Sequence, residues 1–164
     1  MVEQRWLDIS LAKQSVCLRN EAAVIGEWPC STATNGAGEA HGSGCTPRGR
    51  HHIRALIGGD MPAGSVFVGR RATGERYSQA LSRAAPERDW ILSRIIWLTG
   101  DEAGINRGTG VDTLRRFIYI HGTPDTQPMG TPRSHGCIRM RNVDVIDLFA
   151  QCYLGMSVLI GEPH

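Results

Sequence analysis

No apolar run in this sequence approaches the ~20 residues that a membrane-spanning helix requires, so no membrane span is expected. Met1 to Asn20 likewise lacks the unbroken apolar stretch of a secretory signal, and nothing visible exports the chain. Lysine is almost missing: Lys13 is the only one among 18 basic residues. Biased composition accounts for that, yet each guanidinium can grip a carboxylate with two parallel hydrogen bonds. Arg133, Arg139 and Arg141 stand beside the most reactive stretch of the chain. A formal charge of +2 is too small to argue for a nucleic-acid or membrane-surface partner. Cys17, Cys30, Cys45, Cys137 and Cys152 are odd in number and lack the regular spacing of a disulfide scaffold, so at least one should be free. There is no internal repeat and no low-complexity tract.

What is present describes a β-rich globular chain. A length of 164 residues fits one domain, 1–164, and 41% hydrophobic with 21% charged residues lies in the ordinary folded range. The 20 glycines and 8 prolines are scattered without a period, which suits short strands and turns. Leu7, Ile9 and Leu11 alternate with polar residues, and Val16 and Leu18 resume after a turn, predicting an opening hairpin. Ala22 to Ile25 reads as a further strand and Ser31 to Gly49 as a loop. Val66 to Val68 and Ile91 to Leu98 are strands, and the glycine-rich Gly100 to Gly110 is a surface loop. Phe117 to Ile120 is the clearest strand and should place His121 at its end. Val145, Ile146, Leu148 and Phe149 fall at helical spacing, with Asn142 as the expected N-cap. Gly155 ends that helix, and Ser157 to Ile160 forms a last strand.

The chemistry is concentrated in Ile120-His121-Gly122-Thr123 and Ser134-His135-Gly136-Cys137-Ile138-Arg139. A thiol attacks a carbonyl as thiolate and so needs a base beside it. His121 can reach in from a neighbouring strand. His135, two positions from Cys137, competes, since residues two apart in an extended segment share a face. Spacing alone leaves the two histidines level. Gly136 permits an unusual backbone angle or close approach of substrate, and successive N–H groups beside it can form an oxyanion hole.

Ser134-His135-Gly136-Cys137 downstream of His121-Gly122 resembles the signature of the L,D-transpeptidase catalytic domain, the YkuD-like family. Arg139, the Asn142-Val143-Asp144 helix start, Thr46-Pro47-Arg48-Gly49 and Asn106-Arg107-Gly108 also look like Gram-negative versions of it, so the resemblance covers most of the chain. It implies a mainly β fold, a β-sandwich with one or two short helices and the cysteine in a cleft. It implies no metal and no organic cofactor. The nucleophile would be Cys137 and the base His121, with His135 shaping the site. Gly136, Ser134, Gly122 and Thr123 would serve the oxyanion and substrate. Arg139 departs from the family's frequent asparagine, and would hold a substrate carboxylate or organise the loop.

The implied partners are peptidoglycan stem peptides, a tetrapeptide donor and an amine acceptor, in cell-wall biogenesis. A thioester would form at the diaminopimelate–D-Ala bond, and a carbapenem adduct on Cys137 is expected. Water in place of the amine would give an L,D-carboxypeptidase, and a weakly catalytic wall-peptide-binding module is the rival from another class. The family points to periplasm or cell wall; the absence of a visible signal keeps a cytoplasmic site in play. A zinc site from His41, Cys45, His51 and His52 matches no standard spacing and is disfavoured. Cys17, Cys30 and Cys152 read as small buried hydrophobes, and Trp6, Trp28, Trp90, Trp97 and Tyr119 as packing residues.

Overall fold

The computed structural model describes residues 4–21 and 23–161. The expected opening hairpin is β1 (Arg5–Ser10) and β2 (Ser15–Asn20), turned by Gln14 at a positive φ of 51°. Leu7, Ile9, Val16 and Leu18 face inward at the strand period of two and are fully buried. Each such side chain stabilises the fold by ~1.5–3 kcal/mol relative to exposure. Next come β3 (Val24–Pro29), β4 (Gly49–Ile57), and a hairpin of β5 (Ser65–Val68) with β6 (Arg71–Arg76). Ala22, the first residue of the expected third strand, lies outside the described residues. After helix α1 (Gln79–Ala84) follow β7 (Ile91–Gly100), β8 (Tyr119–Thr123), β9 (Ile138–Arg141), helix α2 (Asn142–Phe149) and β10 (Ser157–Gly161).

All ten strands join one sheet in the order β3-β2-β1-β10-β4-β7-β5-β6, with β8 added to β7 and β9 added to β8. The long β7 is therefore the branch point, pairing with β4, β5 and β8. The main core lies between the β1–β2–β10 end and the β7–β8–β9 region, closed by Val145 and Leu148 of α2. A second cluster of Phe67, Ile95 and Tyr119 packs against Cys137 and Trp97. That cluster floors the site.

Three local expectations are corrected. β8 starts at Tyr119, because Phe117 sits at φ 55° and its amide donates back to Leu114, which closes a turn. His121 consequently lies mid-strand: Gly122 and Thr123 continue in parallel register with Met140 and Arg141. Asn142 is the first helical residue, and the extended Arg141 is the cap position. The Asn142 side chain instead crosses the fold, donating to Thr123 O at 3.0 Å and accepting from Ser93 Oγ at 2.5 Å.

Candidate active site

Cys137 sits at the entry to β9, on a turn whose shape depends on Gly136. That residue has φ 133°, and a Cβ there would lie 3.0 Å from Ile118 Cδ1 and 3.2 Å from the Cys45 carbonyl oxygen. Only glycine fits without displacing its neighbours. Three buried groups hold the turn. Ser134 Oγ accepts from the Gly136 amide at 3.2 Å and donates to the Cys137 carbonyl at 2.5 Å. Thr46 Oγ1 donates to Gly136 O at 2.9 Å while accepting from the Ala33 amide at 3.0 Å. The segment from Ser31 to Thr34 exchanges backbone hydrogen bonds with Arg139 and Ser134. Thr46, inside a stretch read as loop, thus buttresses the turn that carries Cys137.

The thiol donates to the Phe117 carbonyl and accepts from the Tyr119 amide, both at 3.3 Å. Burial pushes it up to about 11, reinforced by Asp89 and opposed by the Tyr119 N–H, Arg139 and Arg116. On the adjacent strand, His121 is 1% exposed, and its Nδ1 lies 2.7 Å from the Gly122 carbonyl. That carbonyl can only accept, so the ring proton sits on Nδ1 and Nε2 is left as the acceptor. Burial lowers the histidine. Burial thus disfavours the charged form of each group, the thiolate and the imidazolium.

Cys137 and His121 line one cleft of about 410 Å³ together with Ser134, His135, Arg139 and Asp89. His135 is exposed at its rim and makes no hydrogen bond among the described residues. Arg139 is 12% exposed and reaches Asp89, itself 60% exposed, at 3.4 Å. Gly122 and Thr123 do not line this cleft. A Cβ on Gly122 would strike the Leu92 backbone and Asn142, so that glycine serves close packing. Thr123 is buried and borders a smaller hollow shared with Arg139 and Asp89. The amide of Gly136 is spent on Ser134, and among the described residues neither the His135 nor the Cys137 amide donates to a protein acceptor. Arg133 and Arg141 are exposed and outside the cleft.

Several lining groups had no signal in the motif. Arg70, Ile91, Phe117 and Tyr119 also line the cleft, the last two in direct contact with the thiol through their backbone. Arg116 ties the 38–45 loop down, donating to the carbonyls of Gly38, Glu39 and Cys45 and to Ser43 Oγ. Tyr119, read as packing, also supplies the N–H on the thiol. The tight Val68-Gly69-Arg70-Arg71 turn was the available clue to Arg70, since it must bring two strands together beside β7.

Two of the histidines weighed for zinc, His51 and His52, are employed otherwise. His51 is buried with Nδ1 3.0 Å from Gly49 O and Nε2 3.0 Å from Thr113 Oγ1, and His52 pairs with Asp101. All five cysteines are free. Burial pushes Cys30 and Cys152 up to about 12, which keeps them inert. A larger open hollow of about 730 Å³ on the outer face of β1, β2 and β10 contains Cys17 but no histidine.

Comparison with known proteins gives the family and the fold. The sequence model of the YkuD family, the L,D-transpeptidase catalytic domain, matches residues 4–160. Comparison with curated proteins gives no match by sequence. Among solved structures, the chain is similar to L,D-transpeptidase 3 from Mycobacterium tuberculosis in complex with a faropenem-derived adduct, with TM-score 0.59 and 14% identity over 98% of this chain and 61% of that one. A mutant Enterococcus faecium L,D-transpeptidase gives TM-score 0.57 and 14% identity over 98% of this chain and 50% of the other. The L,D-transpeptidase LdtMt1 in complex with imipenem gives 0.56 and 14% over 97% and 59%. The chain therefore spans between half and about three fifths of the length of these proteins.

Proposed function

The chain belongs to the L,D-transpeptidase catalytic-domain family, and from that premise we propose that it is a cysteine acyltransferase acting on peptidoglycan stem peptides. The observation that carries this reading is the cleft shared by Cys137 and His121, whose Nε2 is left as an acceptor by the Nδ1 contact to Gly122. In the first step His121 Nε2 takes the thiol proton as Cys137 Sγ attacks the carbonyl between diaminopimelate and D-alanine. The C–N bond breaks, His121 returns the proton to the departing amine, and D-alanine leaves a thioester on sulfur. The amides of His135 and Cys137 are the donors for the oxyanion, each worth ~3 kcal/mol in such reactions. An amine of a second stem then attacks the thioester, loses its proton to His121, and regenerates the thiol. His135 at the rim shapes the entrance, and Arg139, tethered to Asp89, organises the thiol's strand. Gly122 and Thr123 act by packing β8 beneath the base.

The working compartment proposed from the family is the periplasm or cell wall, which fractionation of native cells would test. The reaction is tested by mass spectrometry of a disaccharide-tetrapeptide incubated with the protein and with Cys137→Ala. Dimers joined through two diaminopimelates, absent with the variant, are the expected result. Tripeptide without dimer would mean that water resolves the thioester. Unchanged tetrapeptide would remove the acyltransfer reading. Imipenem should add covalently to Cys137, raising the intact mass of the wild type and not of the variant; an unmodified wild type after long incubation would count against a nucleophile in this cleft.

A further inference from the structure

Arg116 and Arg139 bear electrostatically on the thiol and Arg70 lines its cleft, and the three guanidinium groups are committed very differently. Arg116 spends its donors on three backbone carbonyls and a hydroxyl. Arg139 is joined to Asp89. Arg70 makes one hydrogen bond, from Nη1 to Tyr119 Oη at 3.0 Å, and among the described residues it has no carboxylate partner. Its guanidinium rests 4.8 Å from the ring centroids of both Trp97 and Phe117, so its plane is fixed while most of its five N–H groups remain uncommitted. Fixing the fork in advance lowers the ordering cost of a bidentate contact.

The backbone is arranged for this placement. Gly69 and Arg70 are the two central residues of the β5–β6 hairpin turn, both left-handed at φ 56° and 65°. That turn type favours Asn-Gly or Gly-Gly, and an arginine there is held against its preference. The strained residue is the one directed into the catalytic cleft. The wall carrying Arg70 is contiguous with the thiol: Phe117, beside the guanidinium, supplies the carbonyl that accepts the thiol's hydrogen bond, and Tyr119, the guanidinium's hydrogen-bond partner, supplies the amide on Sγ. Asp89 is the one carboxylate among the lining residues, and its pairing with Arg139 leaves Arg70 as the lining guanidinium without a carboxylate among the described residues.

We propose that Arg70 reads the terminal carboxylate of the donor peptide, the one carried by the departing residue, and so confines acyl transfer to the last bond of the stem. The inference rests on the acyltransfer reading above. One residue separates the scissile carbonyl from that carboxylate, which matches an anchor on the wall that touches the thiol.

The test compares donor tetrapeptides ending in D-alanine or in D-alaninamide, with release of D-alanine or its amide followed by mass spectrometry for wild type, Arg70→Gln and Arg70→Lys. The wild type should lose about 10- to 100-fold in kcat/KM on the amide, the range of a charge-assisted hydrogen bond. Arg70→Gln should turn over the two donors alike, and Arg70→Lys should regain part of the preference. Equal use of both donors by the wild type, or a preference surviving in Arg70→Gln, overturns the inference while leaving the acyltransfer reading standing. The wild-type comparison decides even if a variant does not fold. A donor amidated only on the diaminopimelate side chain that shows the Arg70-dependent loss instead would also overturn it. Turnover of neither donor by the wild type would overturn the proposed function and this inference with it.

Discussion

Cys137 is pushed up to about 11 chiefly by burial, and the same burial lowers His121, so both partners stay uncharged near neutral pH. In the proposed acyl transfer, proton transfer would then accompany attack rather than precede it. The difference in ultraviolet thiolate absorbance between wild type and Cys137→Ala should rise only in strongly alkaline solution. A midpoint at or below neutrality would reveal a preformed thiolate–imidazolium pair and sink this description. Gly136 is as constrained as the thiol it precedes. Gly136→Ala places a Cβ against Ile118 and Cys45 at an unfavourable φ, and denaturant titration should show a loss of ~1–3 kcal/mol. These two residues, with His121, were legible in the sequence because the residues proposed as nucleophile, base and turn lie in short motifs. Arg116 and Arg70 were not, and Thr46 was noticed only as part of a family-like step without its contact to Gly136, because all three reach the site through folds of the chain that no local spacing encodes.

Among the elements, alternation of apolar and polar residues made β1 and β2 readable, short apolar and β-branched runs did so for β5, β7 and β10, and helical spacing for α2. β4 was hidden because Arg50, His51, His52 and Arg54 give it a polar composition; its inward positions include His51, which is buried because the loop after β7 docks on it. His51 meets Thr113, while Asn106 donates to the carbonyls of Arg48 and Arg50, and Glu102 accepts from the Arg50 amide. This loop ends in Phe117, whose carbonyl holds the thiol. Burial lowers His51 below its ordinary 6.5, against raising contributions from the Gly49 carbonyl, Asp101, Glu102 and Glu39. The unfolded chain therefore binds its proton first as pH falls, and the stability tied to neutral His51 is present above 6.5 and lost below it. His121 acts in the same sense. Urea midpoints should fall as pH drops beneath 6.5 and fall less steeply in His51→Gln; parallel curves for the two proteins would remove His51 from the docking of this loop.

At the scale of the molecule, one sheet carries both the rigid and the yielding parts of the site. β8 and β9, which bear His121 and lead from Cys137, lie against the main core, and Ile120, Ile138 and Met140 are fully buried. Amides there should exchange with solvent only on global unfolding. The β5–β6 hairpin is different: most of β6 is exposed, α1 after it buries no residue, and the pair joins the sheet only through β5 against Ile91 and Leu92. Its amides should open locally. Because Arg70 stands on the turn of that hairpin, an occupied cleft couples the yielding part to the rigid one. Hydrogen exchange of Cys137→Ala with and without a saturating donor tetrapeptide should show new protection in residues 65–76 and little change in β8 and β9. Protection confined to the thiol's own turn would mean that the peptide is held entirely from the motif side, and that the hairpin contributes shape without grip.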